Sequence, residues 1–487
     1  MQKKQKSLRI NAFLSVLKVM LSIVVPLITF PYASRVLGVD NIGKVNFGSS
    51  IIVYVSLIAA LGINTYAVRE GARRRTSRFE FEKFAQEIFT TNIITTLLAF
   101  AILAAFLMGF PEFRDYRLLI AIQSVSVLFT TLGVEWINTI YEDYFYILIR
   151  SCVVQLLNIL LLFLLVKQPS DYYIYAALTV LSTVVISVLN LIHVRKYCKL
   201  RIVVPCNFFK HIKPALIFFS SSLAVNIYMS ADTTMIGFLV GDFYTGIYAV
   251  SVKLYTIAKT VLNCIYTVTI PRLSIYAENN DFVSYRTTLT NVTANLMLIL
   301  FPIVTFFLML ADSIILVIAG EEYLLGVNAL RILSIAIIFS LANGILVNCI
   351  NVTLNREKVN TIGTSIAAIV NIGLNFVFIP LFKHNGAALT TLIAEATVAL
   401  YCVIKLKDMK NVIDFKIVLI QIKNALFGCS IIVIICILMR GVIKNIAICG
   451  ITAGIMGSLG YGAFLYFTKN PFFISIIDSA IKKITNK

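Results

Sequence analysis

Runs of about 20 apolar residues, the length a helix needs to cross the hydrocarbon of a bilayer, recur from one end of this chain to the other. They predict helices near 10–30, 45–67, 88–109, 118–138, 147–166, 172–194, 215–240, 246–270, 291–310, 326–350, 359–380, 386–404, 424–439 and 446–467. That is an all-α polytopic membrane protein of fourteen transmembrane helices. Composition agrees: only 13% of the 487 residues are charged, against about 25% in a soluble domain. The apolar run after the basic opening MQKKQKSLRI is too long for a signal peptide and has no small-residue cleavage site, so it reads as an uncleaved first helix. No external connection is long enough for a folded domain. The stretch Asp312–Tyr323 reads as a short interfacial or re-entrant helix.

The net charge of +19 suggests either nucleic acid or an acidic membrane surface, and its distribution favours the membrane. Most of the 42 Lys and Arg fall before the first helix, in 69–83, in 195–213, in 405–423 and after 468. Those connections all lie on one side, so both termini are expected in the cytoplasm. Anionic membrane lipids are then a sufficient partner for the basic loops, and nucleic acid is not expected. The nine cysteines form no CxxC pair and the three histidines stand apart, so neither a metal site nor a cofactor is expected.

The stretch Gly246–Arg272 holds Lys253 and Lys259 inside an apolar span. An ammonium in hydrocarbon is costly, and Lys259 is too far from either end to snorkel easily. Lys253, Thr256, Thr260, Asn263 and Thr267 share one polar stripe, which places that face against protein or a wet cavity. A second stretch of equal length, Gly43–Arg69, begins and ends on the same residue types, with Ser50 and Ser56 at the positions of the two lysines. Together they suggest a parallel repeat of two six-helix halves. The resulting division is 1–205, 206–410 and a pair of appended helices with a tail in 411–487.

Other polar residues within spans have two readings each. Asn11, Ser15, Lys18, Ser22 and Thr29 form one face of the first helix and either line a cavity or pack against a neighbour. Asp232 needs a proton, an ion or a cationic partner such as Lys253. Glu395 either holds a coupling ion or is protonated and structural. Asn343, Asn348 and Asn351 suit sugar hydroxyls or interhelical hydrogen bonds. Arg35, expected in a loop, and Arg331, one turn inside a helix, either meet headgroups or grip a phosphate through the guanidinium fork. No HExxH, GxSxG or GxxxxGK[ST] motif is present, nor a GxGxxG after a strand, so an enzyme is not expected.

Four blocks carry a resemblance over residues 8–405: RVLGVDNIGKVNFGSSIIVY with LGINTYAVRE, EWINTIYEDYFYILIR, Asp232 through GIYAVSVK, and NFVFIPLFKHNGAALTTLIAE. Together they resemble the polysaccharide flippases of the multidrug/oligosaccharidyl-lipid/polysaccharide exporter superfamily. Glu142 and Arg150 match family positions in a loop, whereas Gly133 stands where the family tends to carry an acid. The resemblance implies two six-helix bundles around a V-shaped central cleft in the bacterial inner membrane. It also implies alternating access that carries undecaprenyl-diphosphate-linked oligosaccharide to the outer leaflet for O-antigen, capsule or exopolysaccharide, with polysaccharide polymerase or export machinery as partners. Lys18, Lys253 and Lys259 would then meet the diphosphate, with Arg35 at the outer mouth. A cation-coupled drug exporter or a peptidoglycan-precursor flippase of the same superfamily is the alternative. A membrane-embedded glycan polymerase fits less well, because such enzymes need a sizeable external loop.

Overall fold

The computed structural model describes residues 8–204, 207–406, 412–475 and 478. Among them every regular element is helical, and eleven segments are long and apolar enough to cross a membrane. The protein is a multi-pass membrane protein. The Asn11 side chain, Cys206 and the expected boundaries at 205/206 and 410/411 lie outside the described residues.

Contacts divide the chain into two compact units, Met1–Ala249 and Val250–Lys487. The first contains α1 (Leu8–Ala60), α2 (Ile63–Arg74), α3 (Arg78–Gly109), α4 (Arg117–Gly133), the short α5 (Glu135–Ile140), α6 (Tyr144–Leu165), α7 (Tyr172–Val194), α8 (Phe208–Val240) and the start of α9 (Asp242–Thr267). The second contains the rest of α9, α10 (Ile270–Glu278), α11 (Phe282–Met309), α12 (Ala311–Ile318) and α13 (Val327–Asn343), which continues as a π-helical stretch over Gly344–Val352. It ends with α14 (Glu357–Phe382), α15 (His384–Lys405), α16 (Phe415–Val442) and α17 (Ile446–Phe467).

Several helices begin earlier than their apolar runs. α3, α8, α11 and α16 each extend one or more turns into polar sequence, because charged residues are compatible with helix outside the hydrocarbon. Side chains close some of these starts: Ser77 caps α3, Asp281 caps α11 and Asp414 caps α16. The expected loop over 31–44 is a correction of the same kind. There α1 holds two helices that meet at a kink at Gly38, whose φ of 76° is open to glycine at little cost. Arg35 therefore lies on a helix, not in a loop. The expected helix 118–138 also divides: α4 stops at Gly133, Val134 takes a left-handed φ of 38°, and Glu135 opens α5.

In lipid there is little hydrophobic drive between helices, so close approach and interhelical hydrogen bonds hold them together. In the first unit α1 packs on α3, α4, α6 and α8. Phe47, Ile51 and Val55 meet Phe113, Ile120 and Val127 in one core, and Ile63, Phe81, Phe84 and Trp136 form another. Thr95 donates to the Ala59 carbonyl at 2.6 Å and Gln123 to the Val45 carbonyl at 3.0 Å. On α6, Val153, Leu156, Leu160 and Leu164 are exposed at helical spacing, as a lipid-facing surface requires.

The same unit shows a reciprocal glycine contact. A Cβ on Gly43 would stand 1.9 Å from the Asp242 carbonyl oxygen, and one on Gly246 would stand 2.1 Å from the Val39 carbonyl oxygen. Gly38 and Gly241 turn the chain just before these points, with φ of 76° and 92°. One sequence spacing relates Gly38 to Gly241, Val39 to Asp242 and Gly43 to Gly246. The two stretches aligned by sequence thus begin with matching backbone turns and pack start against start.

In the second unit α14 packs on α15, α15 on α13, and α11 on α16, which in turn carries α17. Thr390 donates to Asn375 Oδ1 at 2.5 Å, joining α15 to α14, and Tyr461 donates to the Leu298 carbonyl at 2.8 Å, joining α17 to α11. The segment expected as a short interfacial helix is α12 followed by a 3-10 turn, Glu321–Gly326.

Candidate functional site

In the first unit the polar face of α1 presents Lys18 to the start of α5. Lys18 Nζ lies 2.8 Å from Glu135 Oε1, and both side chains are just over 40% exposed. Arg150, on the second turn of α6, is almost wholly buried and reaches Glu135 Oε2 at 3.5 Å. It also donates to Asn190 Oδ1 on α7, which accepts from Asn138 Nδ2 at 2.9 Å as well. Its guanidinium lies over the Tyr146 ring, 5.5 Å from the centroid. The family-matched Arg150 is therefore a helix residue turned inward, and it sits with Lys18 rather than with Glu142. Val134, a β-branched residue in the left-handed region, fixes the direction in which Glu135 leaves α4. Such a conformation costs about 1–2 kcal/mol and is held by near-complete burial of Val134.

Glu135 and Asn190 line a cavity of about 640 Å³ together with Asn64, Thr65, Arg69 and Thr139. Thr183 is shared with a second cavity of about 460 Å³, lined by Ser49, Ser56, Gln123, Ser126 and Asn226. Together they place several hydroxyl and amide groups within a mostly apolar lining contributed largely by α1, α2, α4 and α7. A carbohydrate needs donors and acceptors of this kind, spaced over a wet cavity.

The second unit places a like pair on other helices. Lys259 Nζ on α9 lies 2.8 Å from Glu395 Oε1 on α15. Tyr255 donates to the same oxygen at 2.7 Å, and Asn343 donates to Oε2 at 2.6 Å and to the Glu395 carbonyl at 2.9 Å. With Glu395 2% exposed, these donors offset the cost of burying its charge. Asn343 thus holds the carboxylate through Nδ2, and its buried Oδ1 has no hydrogen-bond partner among the described residues. Lys253, two turns earlier, is partly buried and has no hydrogen-bond or ion-pair partner among the described residues.

The remaining sequence candidates lie apart. Asp232 is buried in the first unit and accepts from Tyr248 at 2.9 Å. Arg35 is exposed and donates to the Pro31 carbonyl at 3.5 Å, and Arg331 donates to the Leu308 carbonyl at 3.3 Å. Glu142, at a positive φ of 53°, pairs with Arg75 at 3.0 Å. Beside it, Asp143 accepts from His193, Lys196 and Tyr197. Burial and that bond push the Tyr197 phenol above its ordinary pKa. This knot ties the α5–α6 junction to the end of α7. No group of three metal-ligating side chains occurs among the described residues.

Glu135, Asn190, Tyr255 and Tyr248 were not singled out from the sequence. Glu135 had a readable signal, since the expected helix 118–138 placed a carboxylate inside a span. The tyrosines had none, because an aromatic in an apolar run is ordinary.

The described residues thus hold a lysine–glutamate pair in each unit and, in the first, two cavities that carry hydroxyl and amide groups. The chain belongs to the family described as polysaccharide biosynthesis protein, whose profile matches residues 8–277. A protein of Shigella dysenteriae named as a candidate O-antigen transporter is 26% identical over 255 residues, 51% of this chain and 63% of that protein. The chain thus spans somewhat under two thirds of that relative. One of Escherichia coli (strain K12) with the same name is 23% identical over 383 residues, 77% of this chain and 90% of that protein. Among solved structures, the lipid II flippase MurJ in an inward closed conformation aligns over 96% of this chain and 99% of its own, with TM-score 0.76 and 15% identity. An inward-facing multidrug resistance MATE family transporter of the MOP superfamily aligns over 81% and 99%, with TM-score 0.59 and 15% identity. These two likenesses establish the fold.

Proposed function

We propose that the protein is a flippase that carries undecaprenyl-diphosphate-linked oligosaccharide repeat units from the cytoplasmic to the outer leaflet of the bacterial inner membrane by alternating access. The observation that carries this reading is the Lys18–Glu135–Arg150 cluster beside a cavity that offers amides and hydroxyls among apolar walls. A diphosphate headgroup is anionic, and hydrocarbon would reject it without such cations. The amides and hydroxyls suit the sugars, and the polyprenyl tail stays in lipid. Lys253 and Lys259 are assigned to the same cargo, with Arg35 at the outer mouth and Arg331 and Asn343 further along its path. The reading includes fourteen crossings, both termini in the cytoplasm, and two six-helix bundles around a V-shaped cleft. Leu14–Arg74 is 61 residues long, enough for two crossings at about 1.5 Å per residue, and α8 and α9 supply the remaining pair.

The test is purified protein in vesicles loaded with a lipid-linked oligosaccharide labelled on its sugar. Transfer of the label between leaflets, saturable and dependent on the protein, is expected. Absence of transfer with the protein intact would overturn the reading. A drug exporter is favoured by carboxylates within the spans, and Glu135 and Glu395 each already hold a lysine. Drug sensitivity of a deletion strain separates the two.

A further inference from the structure

We infer that Glu135 is an internal counter-ion that holds the place of the cargo's diphosphate, and that Lys18, Arg150 and Arg69 pass to the incoming anion. The inference rests on the flippase reading for the cargo and assigns residues that the reading leaves open.

Two cations meet one carboxylate here, and a third stands on the wall of the cavity that the carboxylate borders. Lys18 and Arg150 both reach Glu135, while Arg69 lines the same cavity with no hydrogen-bond or ion-pair partner among the described residues. One carboxylate leaves two positive charges uncompensated, which matches a headgroup carrying two negative charges. The contacts are also incomplete as hydrogen bonds. Arg150 touches the carboxylate through one nitrogen at 3.5 Å, beyond a good charge-assisted distance. Its buried Nε has no partner among the described residues, nor has the buried Oδ1 of Asn138 beside it. An unused donor on a nearly buried arginine is a second, independent sign that the cluster is built for a ligand with more oxygens than Glu135 has.

Glu135 can leave its place. Its side chain is 43% exposed and borders a cavity of about 640 Å³, so it can rotate into that space when phosphate oxygens take its partners. Until then it keeps Lys18 and Arg150 paired and the empty cavity from trapping stray anions. The competition lowers apparent affinity, since the cargo must displace a resident partner.

The single tryptophan of the chain, Trp136, follows Glu135 and borders the same cavity, so its fluorescence reports occupancy. The experiment titrates the full-length protein in detergent with farnesyl diphosphate, farnesyl monophosphate and farnesol. Saturable change with the diphosphate is expected, weaker with the monophosphate and absent with farnesol. Glu135→Gln should bind the diphosphate about tenfold more tightly, while Lys18→Gln and Arg69→Gln should weaken it. Glu135→Asp, too short to hold Lys18, should move in the same direction as Glu135→Gln and serves if the amide variant does not fold. Unchanged or weaker binding in both Glu135 variants overturns the inference. So does the absence of any diphosphate response in a protein that still moves lipid-linked glycan, in which case the flippase reading stands. Binding as described without glycan transfer would leave the anion site in place and remove the flippase reading.

Discussion

Lys259 Nζ stands 2.8 Å from Glu395 Oε1, with Tyr255 and Asn343 completing the carboxylate's hydrogen bonds. Six residues earlier on the same helix, Lys253 has no such partner among the described residues. Two lysines that look alike in the sequence therefore differ in what they can do. One is paired with a buried carboxylate, and the other is not.

Lys259→Ala should destabilise the protein by about 3 kcal/mol, because it leaves Glu395 buried with its charge uncompensated. Glu395→Gln in the same chain should recover part of the loss, since a neutral amide needs no cation and its one oxygen can still accept from Tyr255, while the bond from Asn343 Nδ2 to the second oxygen is given up. A double-mutant cycle on detergent-solubilised protein, followed by thermal or denaturant unfolding, measures the coupling. Additive losses would show that the pair contributes nothing.

Lys253→Ala should behave in the opposite way. Removing an unpaired, partly buried ammonium relieves a desolvation cost, so stability should hold or rise slightly, while surface polysaccharide in a complemented deletion strain should fall sharply. Lys253→Arg should retain part of the export. Full export by the alanine variant at normal membrane levels would remove Lys253 from the transport path.

The lysine stripe was readable because helical periodicity is local, and a charge inside an apolar run is conspicuous. Its partner was not readable, since Glu395 lies on α15, far along the chain, and proximity across such a separation has no sequence signature. The same holds for Lys18 and Glu135, although Glu135 itself stood inside an expected span. Arg35 was assigned to a loop because hydrophobicity falls around it. Helix, however, needs only backbone hydrogen bonds and tolerates polar side chains outside the hydrocarbon, so the first helix runs past Arg35 to the kink at Gly38. The aligned glycines Gly43 and Gly246 were visible as a repeat, yet their contact depends on how two helix starts cross.

Tyr248→Phe removes the hydroxyl that donates to the buried Asp232 at 2.9 Å. A buried acceptor that loses a donor costs about 1–3 kcal/mol, so the variant should unfold at lower temperature. Asp232→Asn should reduce the penalty, because a neutral amide is less costly to bury. If Tyr248→Phe unfolds like the parent, the Tyr248–Asp232 bond is not a stabilising contact.

Gly43→Ala and Gly246→Ala probe the place where the starts of the two repeated stretches meet. Each new methyl would fall about where the other stretch already has a carbonyl oxygen, 1.9 Å away for Gly43 and 2.1 Å for Gly246. The obstacle is backbone in both cases, so no side-chain rotation can relieve it, and the helices must separate. Overpacking of this kind costs about 1–3 kcal/mol, and a rigid backbone obstacle places it toward the upper end, more than the roughly 1 kcal/mol gained from the better helix propensity of alanine in place of glycine. Because both substitutions strain one crossing, the first should part the helices far enough to admit the second. The double variant should therefore lose clearly less stability than the two single losses combined. Unfolding temperatures of the parent, both single variants and the double variant in one detergent decide the matter. Additive losses would mean that the two glycines act independently, and no loss at either site would mean that the helix starts do not meet in the membrane.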